Sequence, residues 1–75
     1  MHMILTTPDE IERQPTPTHM IDVAERFLRI GTAMPDIKVR RAEGKLYPLH
    51  AVDSAILEAV RRVDPTIKLP VLPVD

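Results

Sequence analysis

The chain has 75 residues, 44% of them apolar but with only Phe27 and Tyr47 as aromatics, so it builds one domain at most, on an aliphatic core worth about 3–5 kcal/mol at this size. Ten Lys and Arg against eleven Asp and Glu leave a formal charge of −1, which argues against a general phosphate-backbone binder, and the absence of cysteine excludes disulfides, thiolate metal sites and thiol catalysis. No apolar run approaches the ~20 residues of a membrane span and nothing resembles a secretory signal, so a cytoplasmic protein with no membrane partner is expected.

Met1-His2 reads as an expression remnant ahead of a start at Met3. Met3-Ile4-Leu5-Thr6 is short and apolar and is closed by Thr7-Pro8-Asp9, which predicts a first strand and a turn. Residues 12–18 form a polar, proline-rich loop. Thr16 before Pro17 predicts a helix start, a side-chain oxygen for the unpaired N–H groups and then a residue that lacks one. Met20, Val23, Ala24, Phe27 and Ile30 recur at helical spacing and predict the apolar face of that helix. Asp22/Arg26 and Glu25/Arg29 stand four apart as expected pairs, and Gly31 is placed to end the helix in a left-handed cap.

Ile37 and Val39 alternate with Lys38 and Arg40 as in a half-buried strand. Glu43-Gly44 supplies a hairpin turn and Lys45–Leu49 the returning partner. Asp53 or Ser54 is expected to cap a second helix that buries Ala55 or Ile56, Ala59, Val60 and Val63, with Glu58 and Arg62 paired outside. Asp64-Pro65 ends it, because the residue before proline disfavours helix. Ile67 to Val74 predicts a last strand that is short or at an edge, since Pro70 and Pro73 donate no ladder hydrogen bond. The fold class is therefore α+β, a single small domain over residues 1–75 in the order strand, helix, hairpin, helix, strand.

That order resembles the ParB/sulfiredoxin-like fold, and the N-terminal ParB domain in particular. Thr7-Pro8-Asp9-Glu10-Ile11 is similar to the family's "pxxI" turn, and Gly31 through Pro35-Asp36-Ile37-Lys38-Val39-Arg40 to its "G…PI.VR" segment. Glu43-Gly44-Lys45-Leu46-Tyr47 resembles the "dGkY.l" hairpin, and Leu69-Pro70-Val71-Leu72-Pro73-Val74-Asp75 the closing "IPVIVVD". The resemblance implies a phosphate-binding bend between hairpin and second helix, "DGxHR" or "GxRR" in ParB domains and the seat of the reactive cysteine in sulfiredoxins. Here the corresponding residues are Ala51-Val52-Asp53-Ser54-Ala55. Val52 stands for the glycine and Ala55 for the arginine, so no catalytic or cofactor-binding residue of the family carries over, and no cofactor is expected. A helix N-terminus attracts anions, but Asp53 would repel a phosphate there.

His50, Asp53 and Ser54 are close enough in sequence to suggest a nucleophile–base–orienter set, although a capped helix after a strand-end histidine explains them more simply. His19 and His50 with a carboxylate would suit zinc, but no paired-ligand spacing supports a metal site. Lys38, Arg40, Arg41 and Lys45 line the hairpin, with Arg61 and Arg62 as further candidates, and read either as a solvated, edge-protecting surface or as a contact for nucleic acid or an acidic partner. Residues 1–35 hold three basic and five acidic side chains, residues 36–68 seven and five, a mild basic bias in the second half. No aromatic platform for single strands is present unless Tyr47 serves alone.

These features favour a non-catalytic ParB-like interaction module acting through protein–protein or oligomeric contact, in a plasmid, phage or DNA-maintenance setting implied by the resemblance alone. The alternatives are a diverged nucleotide-dependent enzyme (phosphotransferase, CTPase or nuclease) at His50, Asp53 and Ser54, or a weak nucleic-acid binder using the basic hairpin. The last strand is apolar on both alternations, which predicts burial on both faces and hence a homodimer or a subunit of a larger assembly, with Leu69, Val71, Leu72 and Val74 in or beside the contact.

Overall fold

A computed structural model describes residues 2–31 and 36–74. Strand β1 (Ile4–Thr6) runs into a 3-10 turn over Pro8–Glu10, and helix α1 spans Thr18–Ile30. Strands β2 (Ile37–Ala42) and β3 (Lys45–Pro48) form the hairpin, helix α2 spans Ala51–Val63, and β4 covers Leu69–Pro73. The α+β order is the one expected. The sheet is mixed, ordered β1-β4-β2-β3. Thr32–Pro35 of the "G…PI.VR" segment lie outside the described residues.

The local turn chemistry acts as its residues dictate. Glu43 (φ 54°) and Gly44 (φ 75°) both take left-handed angles, the pair that matches a two-residue hairpin loop to the twist of its strands. Gly31 ends α1 at φ 76°, its N–H bonded to the Phe27 and Leu28 carbonyls. Asp64 leaves α2 in extended conformation ahead of Pro65.

Strand β4 takes the first of the two expected alternatives: it is short, and it lies inside the sheet rather than at an edge, antiparallel to β1 and parallel to β2. The prolines fit because their missing donors fall where a neighbour has ended. Val74 donates to the Val39 carbonyl, so by alternation residues 70, 72 and 74 aim their nitrogens at β2 and residues 71 and 73 at β1. Pro70 then lies level with Asp36, one residue before β2 begins, and Pro73 level with His2, two residues before β1 begins. Staggered neighbours remove the penalty that would confine proline to an edge.

Strand alternation sends Ile4, Thr6, Ile37, Val39 and Val71 to one face, where α2 packs. Seven of the thirteen residues of α2 are buried, Leu57 completely. Helix α1 packs mainly on α2, with only part of the expected face, Met20 and Ala24, turned inward. Ile21 and Ala24 are buried, Met20 and Leu28 are partly buried against the core, and Val23, Phe27 and Ile30 are exposed. Val63 is exposed as well, because α2 ends there and the core stops a turn earlier, at Val60.

Polar links between helices replace two expected pairs within them. Glu25–Arg29 forms within α1 at 3.0 Å. Asp22, however, takes Arg62 of α2 at 2.7 Å rather than Arg26, and Arg62 also reaches Glu25 at 3.4 Å. Glu58 accepts a two-pronged bond from Arg13 at 3.0 and 2.9 Å and another from Arg61. Among the described residues no helix is long and apolar enough to cross a membrane.

Candidate functional site at the bend before α2

Pro48 ends β3, Leu49 follows it, and His50 enters α2 in extended conformation (φ −131°, ψ 167°). Positive φ angles among the described residues are confined to Gly31, Glu43 and Gly44, so the bend does not make the glycine-dependent tight turn by which a backbone approaches a phosphate. The helix begins at Ala51, three residues before Ser54. The expectation that Asp53 or Ser54 occupies the cap position is therefore corrected: His50 is the cap residue, Asp53 is the third helical residue, and Ser54 donates the first intrahelical N–H, to the His50 carbonyl at 3.1 Å.

Asp53 nevertheless secures this helix start, by a different route. It is 2% exposed. Its Oδ2 accepts the His50 N–H at 3.0 Å, as the third residue of a capping box does, and its Oδ1 accepts the Lys38 N–H from β2 at 2.9 Å. The Lys38 carbonyl in turn accepts the Leu49 N–H at 2.9 Å. One carboxylate thus fastens the helix start to the strand beside it.

Ser54 is also buried. Its Oγ lies 2.5 Å from Thr16 Oγ1 and 3.4 Å from the Gln14 carbonyl, to which Thr16 donates at 2.9 Å. The expected role of Thr16 as cap of α1 is thereby corrected: Pro17 holds that position without a side-chain cap, and the threonine hydroxyl is turned toward α2. Both oxygens of Asp53 bind backbone N–H groups, and Ser54 Oγ faces Thr16 and Gln14. His50, Asp53 and Ser54 are adjacent, yet they are not joined as base, orienter and nucleophile.

Two clefts flank the proline-rich loop. One of about 210 Å³ is bordered by Gln14, Pro15, Pro48, His50 and Ser54. The other, about 400 Å³, is bordered by Arg13, Gln14, Thr16, Ile21 and Glu58. The hydrogen bond from Arg13, helped by the Arg61 charge, holds the Glu58 carboxyl below the usual carboxylate range against the opposing effect of burial. Arg29, with help from Arg62, does the same for Glu25, and the Thr66 hydroxyl and N–H for Asp64. Among the described residues no three His, Asp or Glu side chains gather where a metal ion would bind; His19 is exposed on the first turn of α1.

The basic candidates divide. Lys38 and Arg40 share the outward face of β2, where the Arg40 guanidinium lies 5.2 Å from the centroid of the Tyr47 ring. Arg41 is exposed, and Lys45 lies 3.8 Å from Glu12. Arg61 faces the other way: its guanidinium donates to the Pro8 and Ile11 carbonyls at 2.6 and 2.8 Å and pairs with Glu58. It is a clamp on the 3-10 turn, and no local feature of the sequence marks it. Arg62 belongs to the bridge between the helices. Of the candidate interface residues, Val71 is wholly buried in the core, whereas Leu69, Leu72 and Val74 are half-buried.

No protein-family model matches the chain, and no curated protein does. Among solved structures it is similar to the sulfiredoxin from Arabidopsis thaliana, with a TM-score of 0.64 over 99% of this chain and 88% of that one, at 15% sequence identity. Identity that low speaks to the fold alone. The chain has the ParB/sulfiredoxin-like fold.

Proposed function

We propose that the protein is a cytoplasmic, non-catalytic ParB-like interaction module that acts through protein–protein or oligomeric contact, in a plasmid, phage or DNA-maintenance setting. The observation that carries this reading is the bend. Its carboxylate and hydroxyl bind the chain's own N–H, hydroxyl and carbonyl groups, and its backbone lacks the glycine conformation a phosphate cradle needs. Apolar side chains that the fold leaves outside, Leu5 on the sheet and Val23, Phe27 and Ile30 on α1, supply surface for partners. The diverged-enzyme reading has one observation in its favour, the cleft bordered by His50 and Ser54.

Thermal melting with and without nucleoside triphosphates separates the two, because a ligand at about 100 times its dissociation constant adds ~2.7 kcal/mol. No nucleotide-dependent rise in Tm is expected; a rise, or turnover of the nucleotide, would overturn the non-catalytic reading. Sedimentation equilibrium tests the oligomeric form. A monomer at roughly hundreds of micromolar, with a Tm independent of concentration, would exclude the homodimer and leave a foreign partner.

A further inference from the structure

The face of the sheet away from α2 combines two kinds of surface. Across it, Leu5 stands opposite Pro70, Leu72 opposite Lys38, and Arg40 opposite Tyr47. Leu5 is 69% exposed; Pro70, Lys38 and Arg40 are exposed, and Leu72 and Tyr47 are half-buried. The β1–β4 half is therefore apolar and the β2–β3 half cationic. None of the four strands contains an acidic residue; the acids at the margin of this face are Asp36, one residue before β2, and Glu12, 3.8 Å from Lys45.

We infer that this open face is the docking surface for an acidic amphipathic helix of a partner protein, its apolar side chains seated on Leu5, Pro70 and Leu72 and its carboxylates on Lys38 and Arg40. The inference rests on the interaction-module reading and gives that module a partner chemistry. Four strands about 4.8 Å apart make a face roughly 15 Å wide, which one helix of ~10–12 Å diameter covers, and a helix is the usual cover for an apolar sheet face. Charge selects among occupants. A second copy laid face to face either brings Lys38 and Arg40 toward their own equivalents or lays them on the apolar half, and neither arrangement gives the cations an opposite charge. Nucleic acid satisfies the cations but leaves Leu5, Pro70 and Leu72 without a counterpart, and the one ring available for stacking, Tyr47, already carries the Arg40 guanidinium.

Fluorescence anisotropy with three labelled probes tests this: a synthetic helix with leucine on one face and glutamate on the others, polyglutamate of equal charge, and oligothymidylate. The helix is expected to bind about tenfold or more tighter than either other probe, and Leu5→Ser and the double variant Lys38→Glu/Arg40→Glu are each expected to weaken it by about tenfold or more. All three positions are exposed, and circular dichroism checks each fold, with Lys38→Gln/Arg40→Gln as the milder substitute. Failure of the helix to bind, oligothymidylate binding as tightly, indifference to Leu5→Ser, or self-association abolished by the same substitutions would each overturn the inference. A nucleotide-dependent Tm rise overturns the module reading instead; absent peptide binding without such a rise sinks only this docking surface.

Discussion

The two helices have the same length and comparable apolar content, yet they do different work. Helix α2 lies between the sheet and α1 and buries seven residues; α1 buries Ile21 and Ala24 and leaves Val23, Phe27 and Ile30 in solvent. Helical periodicity reports that an apolar stripe exists. It does not report how many layers a helix separates, and that number decides what each side chain is worth. On α2 a substitution meets packed atoms in almost every direction, while on α1 half the apolar stripe meets water.

The sharpest way to break this contrast is Leu57→Ala. Removing a fully buried leucine costs about 2–5 kcal/mol, comparable to the whole stability of a domain this size, so chemical denaturation should find the variant largely unfolded. A loss below about 1 kcal/mol would show that α2 is not the central layer.

Asp53→Asn is expected to cost about 1–3 kcal/mol, nearly as much as Asp53→Ala. Asparagine is ordinarily a good substitute at a helix cap, and Asp53 as cap residue would tolerate it. Here both carboxylate oxygens accept an N–H, so the amide would turn a donor against one of them. Urea titration showing Asn close to wild type would return Asp53 to a simple capping role.

Acid stability should divide between the helices as well. The folded-state carboxyl of Glu58 lies below its ordinary value, so its contribution is complete above the unfolded value and is lost as pH falls through the lower folded one. Glu58→Gln should therefore flatten the acid limb of a Tm-against-pH curve. Glu25→Gln on α1 should flatten it less, because Glu25 is tied by Arg29 and Arg62 in a solvent-screened position. Equal flattening would remove the distinction. The smallest effect belongs to Phe27→Ser, expected within about 0.5 kcal/mol of wild type because Phe27 is 43% exposed; a large loss would mean that the exposed α1 stripe is already paired in solution.

Much of the fold was legible because it is written in short-range chemistry. Glu43-Gly44, Gly31 and Asp64-Pro65 act through their own backbone angles, and Ile37/Val39 through alternation, so each announces its structure within a few residues. Contacts between distant segments left no such mark. Asp53 signalled a helix start, but its second acceptor role, for the Lys38 N–H, depends on β2 lying alongside. Thr16 has the right neighbour for a cap and instead meets Ser54. Arg61 looks like any solvent-facing cation until the Pro8 and Ile11 carbonyls come within reach. Pro70 and Pro73 suggested an edge because proline constrains one side of a strand, and the sequence does not say where the neighbour on that side stops. The closed state of the bend was partly readable from the absent glycine and arginine; its closure by Thr16 and Gln14 was not.

The interior position of β4 also constrains the order in which the molecule can be made. During synthesis β1 leaves the ribosome first, but the sheet neighbour it joins, β4, leaves last. The hairpin and both helices can form while residues 4–6 have no ladder to enter, and the sheet closes only when residues 69–73 slide between β1 and β2. Such a pairing of segments distant in sequence carries a loop-closure entropy that local elements do not. Until it occurs, Ile4 and the edge of β2 that β4 covers have no strand partner.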